Sequence, residues 1–213
     1  GPDGIGHSLS MAAVPNNVLR QVRTGHLSMW KAVTAGHAGK AGVFAALLAR
    51  EGMNAPFLPF EGKSGWCAHI ARKPLSLNVM GGAGAAFKIE DTLIKPRSSC
   101  ATTISSILAA EKVAPAVMQR LDEVERVTVE TYERAKTGMG TGEHHWNPDS
   151  RETADHSIPY VVAAALMDGT VTPRQFDASH LSSPQLRRLL SKIEVVASDA
   201  FTREYEQVPV WHR

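Results

Sequence analysis

The segment ADHSIPYVVAAALMDG, residues 154–169, opens with four polar side chains before it becomes almost wholly apolar. These are Asp155, His156, Ser157 and Tyr160. Imidazole and phenol groups act as general acids and bases when they lie beside a reacting bond. On a helix His156 and Tyr160 share one face, because residues four apart lie about 40° apart around the axis. We therefore predict that the polar start faces a cleft while the apolar remainder is anchored in a core.

Each of these residues also has a structural alternative. Tyr160 fits equally well a buried tyrosine whose hydroxyl meets one backbone group, and His156 fits a satisfied packing residue. Asp155 or Ser157 suits the N-cap of a helix. The residue types and their spacing leave both interpretations open.

Three further motifs suggest ligand sites but lack what those sites need. EGKSG at 61–65 is not a phosphate-binding loop, since Phe57 stands where the earlier glycine is required. GGAGAAF at 81–87 has Phe87 in place of the last small residue of a dinucleotide fingerprint. In EHHW at 143–146 adjacent histidines point apart, so we expect a solvated surface segment rather than a metal site.

The composition narrows the class of protein. Of 213 residues 43% are hydrophobic and 21% charged, and the net charge is +2, so no basic field indicates nucleic-acid binding. No uninterrupted apolar run is long enough for a membrane span, and the first ten residues lack the pattern of a signal peptide. The two cysteines, Cys67 and Cys100, are too few for a disulfide scaffold or an iron–sulfur cluster. We expect buried thiols and a cytoplasmic protein.

These side chains must be positioned by a mixed set of elements. The hydrophobic pattern predicts helices over about 5–23, 29–51, 102–113, 153–168 and 184–192, and strands near 92–95, 124–132 and 193–198. The first of these helices is expected to be interrupted near Pro15. Gly52 and Gly169 end the second and fourth helices, residues 136–151 form a Gly-rich polar loop, and no terminal element is visible in the tail. This predicts an α+β fold of two packing units that join somewhere within 52–92.

Three segments, in order, resemble the MmgE/PrpD family of 2-methylcitrate dehydratases. They are LSMWKAVTAGHAGKAGVFAALLAREGMNAPFLPFEG at 27–62, LIKPRSSCATT at 93–103 and ADHSIPYVVAAALMDG at 154–169. They resemble the family's Lys-bearing helix, its Ile-Lys-Pro strand-to-helix turn and its most recognisable signature.

The resemblance implies a portion of a large all-helical domain plus a smaller α+β lid domain, with the active site in the cleft between them. We expect residues 1–55 to be the helical-domain segment and 56–150 the lid. Residues 151–213 would return a helix to the cleft and add a C-terminal α+β segment. Family members are metal-independent and act on small polycarboxylates: they include 2-methylcitrate dehydratases, cis-aconitate decarboxylases and an iminodisuccinate epimerase. We expect a hydro-lyase of the first kind that needs no cofactor, with decarboxylation or epimerisation as alternatives.

The resemblance also implies roles for single residues. Lys31 and Lys95 match family positions and suit the binding of carboxylates, because such recognition needs charge and several donors. Tyr160 matches an active-site tyrosine, and His156 is the fourth expected catalytic residue. Arg97 stands where the family often has tyrosine and would add a carboxylate clamp. We expect substrate contacts from two further residues, His37 and Ser157.

The resemblance covers the later part of a family chain only, so we expect the helical N-terminal half to have no counterpart here. The chain is then a fragment, or it pairs with a companion half, or that half was lost. We expect the 213-residue piece alone to be inactive. Its partners would be a small polycarboxylate and either a second copy in a homodimer or the missing half, with no membrane or nucleic acid involved. In the non-catalytic alternative, the small-residue face of helix 31–42 is an exposed interface.

Overall fold

The computed structural model describes residues 1–17, 19–23, 26–75, 81–82 and 84–207. The chain divides into two compact units by its internal contacts. Unit 1 comprises Gly1–Thr24 and Met29–Leu93, and unit 2 comprises Gly25–Ser28 and Ile94–Arg213. The segment boundaries near residues 55 and 150 stay a prediction.

Unit 1 contains two long helices that pack against each other, α1 (Pro2–Ala13) and α2 (Trp30–Arg50). The interruption predicted near Pro15 is confirmed: α1 ends at Ala13, two residues before this proline, because proline cannot continue the hydrogen-bond pattern of a helix. The predicted second helix is confirmed, and Gly52, with φ of 87°, follows its end in the left-handed conformation expected there.

The segment that follows α2 is hydrogen-bonded to α1 at two positions. Ser10 Oγ donates to the Pro56 carbonyl at 2.6 Å, and His7 Nδ1 accepts the Ala55 N–H at 3.3 Å. The strand predicted at 92–95 is wrong: these residues form no strand and run directly into Pro96. Proline restricts the residue before it to extended conformations, so the pattern of an extended chain appears without a partner strand.

Unit 2 is built on a two-stranded parallel sheet, in which Val127 pairs with Ile193 and Thr131 with Ala197. Its elements in chain order are α3 (Ile104–Val117), β1 (Val127–Thr131), α4 (Glu133–Met139), α5 (Glu143–Trp146), α6 (Arg151–Ala154), α7 (Ile158–Asp168), α8 (Ala178–Leu181), α9 (Pro184–Leu190), β2 (Ile193–Ala197) and α10 (Asp199–Gln207). The predicted strands at 124–132 and 193–198 and the predicted helices at 102–113 and 184–192 are therefore confirmed with shifted ends. Mixed helix and sheet confirm the α+β class.

The centre of unit 2 is α7, which packs against α3 on one side and α9 on another. Nine consecutive residues, Ile158 to Leu166, are buried. An apolar helix of this kind is stabilised by burial, at about 1.5–3 kcal/mol for each fully enclosed Val, Leu or Ile side chain. Gly169 ends the helix with φ of 76°, as predicted.

Three sequence predictions in unit 2 need correction. The helix predicted from residue 153 is two pieces, α6 and α7, separated by a turn, because the cap at Ser157 starts a new helix. The predicted loop at 136–151 contains most of α4 and all of α5. The tail forms α10 up to Gln207, while residues 208–213 lie outside the described part.

Within the described ranges, α2 is the one helix whose length and mean hydropathy of 1.2 would allow it to cross a membrane. Core helices of soluble proteins and signal sequences have the same composition, so this is weak evidence for a span.

Candidate functional site

Two of the three family-like segments meet in unit 2 around the backbone carbonyl of Asp155. That carbonyl accepts Ser99 Oγ–H at 2.8 Å and the Cys100 N–H at 3.0 Å. Ser99 Oγ also lies 2.6 Å from the hydroxyl of Thr103, and both side chains are buried. The two segments are more than fifty residues apart in the chain, so these bonds fix one turn upon the other.

The first of these segments is the Lys95 turn, residues 95–103. Lys95 is exposed, and its Nζ donates to the Ser99 carbonyl at 2.8 Å, which closes the turn on itself. Cys100 follows in an extended conformation immediately before a helical turn, Ala101–Thr103, that leads into α3. The Lys95 turn thus carries an ammonium group and a thiol on one short stretch.

The second segment is the His156 turn, residues 155–157, which links α6 to α7. His156 Nδ1 is hydrogen-bonded to Oδ1 of Asp155, and the two side chains are 18% and 23% exposed. The Cys100 N–H is bonded to the backbone carbonyl of Asp155, and Cys100 and His156 affect each other's pKa. We call these neighbouring carboxylate, imidazole and thiol groups the Asp155–His156–Cys100 cluster.

The neighbouring groups in this cluster shift the pKa values of His156 and Cys100 in opposite directions. Burial lowers the pKa of His156, but the hydrogen bonds and charges of Asp155 and Cys100 outweigh it, so the net pKa is raised. Burial raises the pKa of the Cys100 thiol, but the bonds from His156 and Thr102 outweigh it, so the net pKa is lowered. Each net shift thus favours the charged form of its group relative to the ordinary pKa.

Ser157 and Tyr160, the other two predicted residues near this turn, are buried and hydrogen-bonded inside unit 2. Ser157 is the N-cap of α7: its Oγ accepts the Tyr160 N–H at 3.0 Å and donates to the His145 carbonyl at 2.5 Å. Tyr160 is fully buried, and its hydroxyl donates to the Gln175 carbonyl at 2.5 Å. Burial is also the main reason that the Tyr160 pKa is raised. His156 lies before α7 begins, so the shared helix face predicted for His156 and Tyr160 does not form.

Arg97 already has a carboxylate partner. Its Nε and Nη2 each donate to Glu111 at 2.6 Å in a forked pair, and its Nη1 donates to the Pro96 carbonyl at 2.8 Å. Glu111 Oε1 also accepts the Val171 N–H at 3.1 Å. The hydrogen bond with Arg97 is the main reason that the pKa of Glu111 is lowered. A substrate carboxylate would have to displace Glu111 before Arg97 could clamp it.

Lys31 and His37 lie in unit 1, on α2, and both are partly buried. The His37 ring lies 5.9 Å from the ring of Trp30. His37 also borders a largely apolar cavity of about 650 Å³ between α1 and α2. The convergence of Lys31 with Lys95 on one substrate stays a prediction.

The histidine pair of α5 differs from its sequence interpretation. His145 is only 5% exposed, and its Nδ1 is hydrogen-bonded to the Thr141 carbonyl. Burial is the main reason that its pKa is lowered to about 4. The expected solvated surface segment is thus wrong for His145, because the Ser157 bond draws its backbone against the core. In the part of the chain that the structure describes, no three His, Cys, Asp or Glu side chains are grouped to hold a metal ion.

An apolar cavity of about 710 Å³ in unit 2, bordered by α3, β1 and α10, contains none of the predicted site residues in its lining. We therefore place the candidate site at the Asp155–His156–Cys100 cluster and Lys95 rather than at this cavity.

Sequence reasoning missed two members of the candidate site. Cys100 was expected to be a buried thiol and Asp155 a cap, whereas Cys100 is partly exposed and Asp155 orients His156. Cys67 is likewise partly exposed rather than buried. The signal that would have found Cys100 is its place within the Ile-Lys-Pro segment, directly before a helix.

Comparison with known proteins gives matches on both sides of residues 78–97. Residues 1–77 match the MmgE/PrpD N-terminal domain and residues 98–212 the MmgE/PrpD C-terminal domain. Over 48 residues the chain is 42% identical to cis-aconitate decarboxylase of Mus musculus and 44% identical to that of Homo sapiens. Each alignment covers 22% of this chain and 10% of the relative.

The resemblance therefore extends over both family domains. That residues 1–77 correspond to the later part of the N-terminal domain, so that the chain covers only the later part of a family chain, stays a prediction. The three motifs had predicted the family itself, and this prediction is confirmed: the chain belongs to the MmgE/PrpD family.

Proposed function

We propose that the protein is a lyase that removes water from a small polycarboxylate, with 2-methylcitrate as the first substrate to test. The observation that carries the proposal is the junction of the Lys95 turn with the His156 turn at the Asp155 carbonyl. This junction brings the turn that carries the Lys95 ammonium group against the turn that carries the His156 imidazole.

Loss of water from a hydroxy acid needs a cation for the carboxylates and an acid for the departing hydroxyl. Lys95 is exposed and supplies the charge, with Lys31 as the second cation. His156 supplies the proton: burial lowers the pKa of the imidazole, but its Asp155 and Cys100 partners outweigh burial and raise it. Asp155 also fixes the ring orientation, since its carboxylate is bonded to Nδ1 and leaves Nε2 as the other reactive nitrogen.

Three of the predicted site residues act in this proposal by positioning the others. Ser157 sets the start of α7, and Tyr160 ties α7 to the Gln175 carbonyl. Arg97 anchors the Lys95 turn to Glu111 of α3. Their donors are already engaged inside the protein, so none of them needs to contact substrate for the site to form.

The test is an assay of the protein in its natural full length with 2-methylcitrate and with citrate, following the absorbance of the alkene product. We expect Lys95→Met and His156→Gln to lower kcat/KM by about 100-fold or more, the usual scale for loss of an acid–base or electrostatic group. His180→Gln is the matched control, because His180 forms a comparable imidazole–carboxylate pair with Asp168, at 2.7 Å, elsewhere in unit 2. Absence of alkene with both substrates, or full activity of both site variants, would refute the proposal.

Decarboxylation of cis-aconitate is the second candidate function, favoured by the names of the two aligned relatives. The same carboxylate-binding cations serve both reactions, whereas decarboxylation releases carbon dioxide and leaves a dicarboxylic acid. Incubation with cis-aconitate, followed by NMR of the products, distinguishes the two: a dicarboxylic product identifies the decarboxylase, and hydration to a hydroxy acid identifies the dehydratase run in reverse.

A further inference from the structure

The cavity of about 710 Å³ in unit 2, here called the α3–β1 cavity, is lined by residues of α3, β1, α7 and α10. Ligand sites commonly measure about 300–1,000 Å³, so a small molecule fits a cavity of this size. None of the residues to which the lyase chemistry is assigned above lies in its lining, so the cavity takes no part in that chemistry. Its apolar lining includes Val113 and Val117 of α3, Val127 and Val129 of β1, Leu166 of α7 and Phe201 of α10.

Two buried hydroxyl groups in this lining form no hydrogen bond to another residue in the part of the chain that the structure describes. They belong to Ser106 of α3 and Thr131 of β1, which are only 8% and 5% exposed. Every fully enclosed side-chain nitrogen or oxygen atom of the described residues has a hydrogen-bond partner. Both hydroxyls therefore keep a small accessible surface, which faces the cavity that both residues line. A buried hydroxyl without a partner costs free energy, and a polar group bound beside it recovers that cost.

The two hydroxyls lie at the same end of the cavity. The helical turn Ala101–Thr103, which leads into α3, contacts α4, and α4 begins directly after β1. The start of α3, with Ser106, is therefore beside the end of β1, with Thr131. We call this the polar end of the cavity, and the valines at the end of α3 and the start of β1 line its apolar end.

Carboxylates outnumber cations around the polar end. Glu130 and Glu204 line the cavity, both are exposed, and neither forms an ion pair with another described residue. Arg126 is a cation that also lines the cavity, but it precedes β1 and lies about 16 Å along the strand from the polar end. Arg134 lies outside the lining and donates from Nη1 to the Tyr205 hydroxyl at 3.5 Å. The charges at the polar end therefore favour a cationic group over an anionic one.

We propose that the α3–β1 cavity binds a small amphipathic amine, whose apolar tail packs on the valines while its ammonium group lies at Ser106 and Thr131. An ammonium group has three N–H donors and no acceptor, and a hydroxyl oxygen accepts such a donor. Glu130 and Glu204 balance its charge. A fatty acid would place its carboxylate beside these two carboxylates, and an alcohol would gain no charge interaction with them. This inference goes beyond the proposed function and does not depend on it.

Three probes with the same apolar tail test the proposal: octylamine, 1-octanol and octanoate. Each is titrated at pH 7 into the full chain labelled at its valine methyl groups, and binding is followed by NMR. Val113 and Val129 report on the cavity, whereas Val33 and Val43 of α2 are references outside it. We expect saturable shifts at the cavity valines, with a Kd for octylamine about tenfold below that for 1-octanol, because two partly exposed ion pairs are gained. Octanoate should bind more weakly than 1-octanol.

Four variants locate the contacts. Glu130→Gln and Glu204→Gln should each weaken octylamine binding about threefold and leave 1-octanol binding unchanged. Glu143→Gln is the matched control, because it removes an exposed carboxylate of α5 outside the lining and should change neither. Thr131→Val keeps the shape of the side chain and should weaken octylamine binding. The melting temperature of the free variant should stay unchanged, since the hydroxyl has no partner among the described residues.

Several results would overturn the proposal. One is an affinity for octanoate equal to that for octylamine, and another is an octylamine affinity that both Glu130→Gln and Glu204→Gln leave unchanged. A lower melting temperature of free Thr131→Val would show that the hydroxyl serves the fold rather than a ligand. Absence of saturable shifts with all three probes would indicate that polypeptide, not a small molecule, fills the cavity.

Discussion

Replacing His145 with glutamine should make the stability of unit 2 less sensitive to acid. The imidazole of His145 is enclosed, and in its neutral form Nδ1–H donates to the Thr141 carbonyl. Protonation would place a charge in this enclosed position, which is why the pKa falls to about 4 from an ordinary value of 6.5. Glutamine retains a side-chain N–H donor for Thr141 but has no proton to gain. The bond from Ser157 is made to the backbone carbonyl of residue 145 and survives the change.

The magnitude follows from the difference in proton binding. Between pH 6.5 and pH 4 the unfolded chain binds a proton at residue 145 and the folded chain resists it, so stability falls as pH falls through this window. One pKa unit corresponds to about 1.4 kcal/mol, which gives a loss of about 2 kcal/mol at pH 5 and about 3 kcal/mol at the acid limit. Above pH 6.5 both states are neutral at this residue, and the effect vanishes.

Urea unfolding of wild type and His145→Gln at pH 8 and pH 5 measures this difference directly. We expect the wild-type free energy of unfolding to fall by about 2 kcal/mol more than that of the variant between the two pH values. Other titrating groups contribute equally to both proteins and cancel in the comparison. Parallel pH profiles for wild type and His145→Gln would show that burial of this imidazole has no thermodynamic consequence.

Three further substitutions test the positioning residues. Tyr160→Phe should lower the free energy of unfolding by about 1–2 kcal/mol, because the Gln175 carbonyl loses its donor in the interior; loss of lyase activity with unchanged stability would instead indicate a catalytic phenol. Ser157→Ala should cost about 1–2 kcal/mol by removing the cap of α7, and an unchanged melting temperature would contradict this. Arg97→Ala and Glu111→Gln should destabilise less together than the sum of the single changes, since they remove one shared ion pair; strict additivity in thermal unfolding would contradict the pair.

The elements that the sequence predicts well are those whose signal is local. β1 and β2 follow from short runs of β-branched residues, and the end of α7 follows from Gly169. The start of α7 was misplaced because residues 153–157 have helix-like composition, while the cap at Ser157 is decided by its hydroxyl meeting the Tyr160 N–H. A cap of this kind depends on the neighbouring turn as much as on the residue itself.

The candidate site is harder to predict, because its decisive contacts join distant parts of the chain. Lys95 and His156 were identified through their motifs, yet no spacing rule links them: their turns meet only through bonds from Ser99 and Cys100 to the Asp155 carbonyl. Ser99→Ala tests this junction, because it removes the hydroxyl bond at 2.8 Å and leaves the Cys100 N–H bond to the same carbonyl. We expect the free energy of unfolding, measured in urea, to fall by about 1 kcal/mol, the usual contribution of one such hydrogen bond. An unchanged value would show that the hydroxyl does not hold the two turns together.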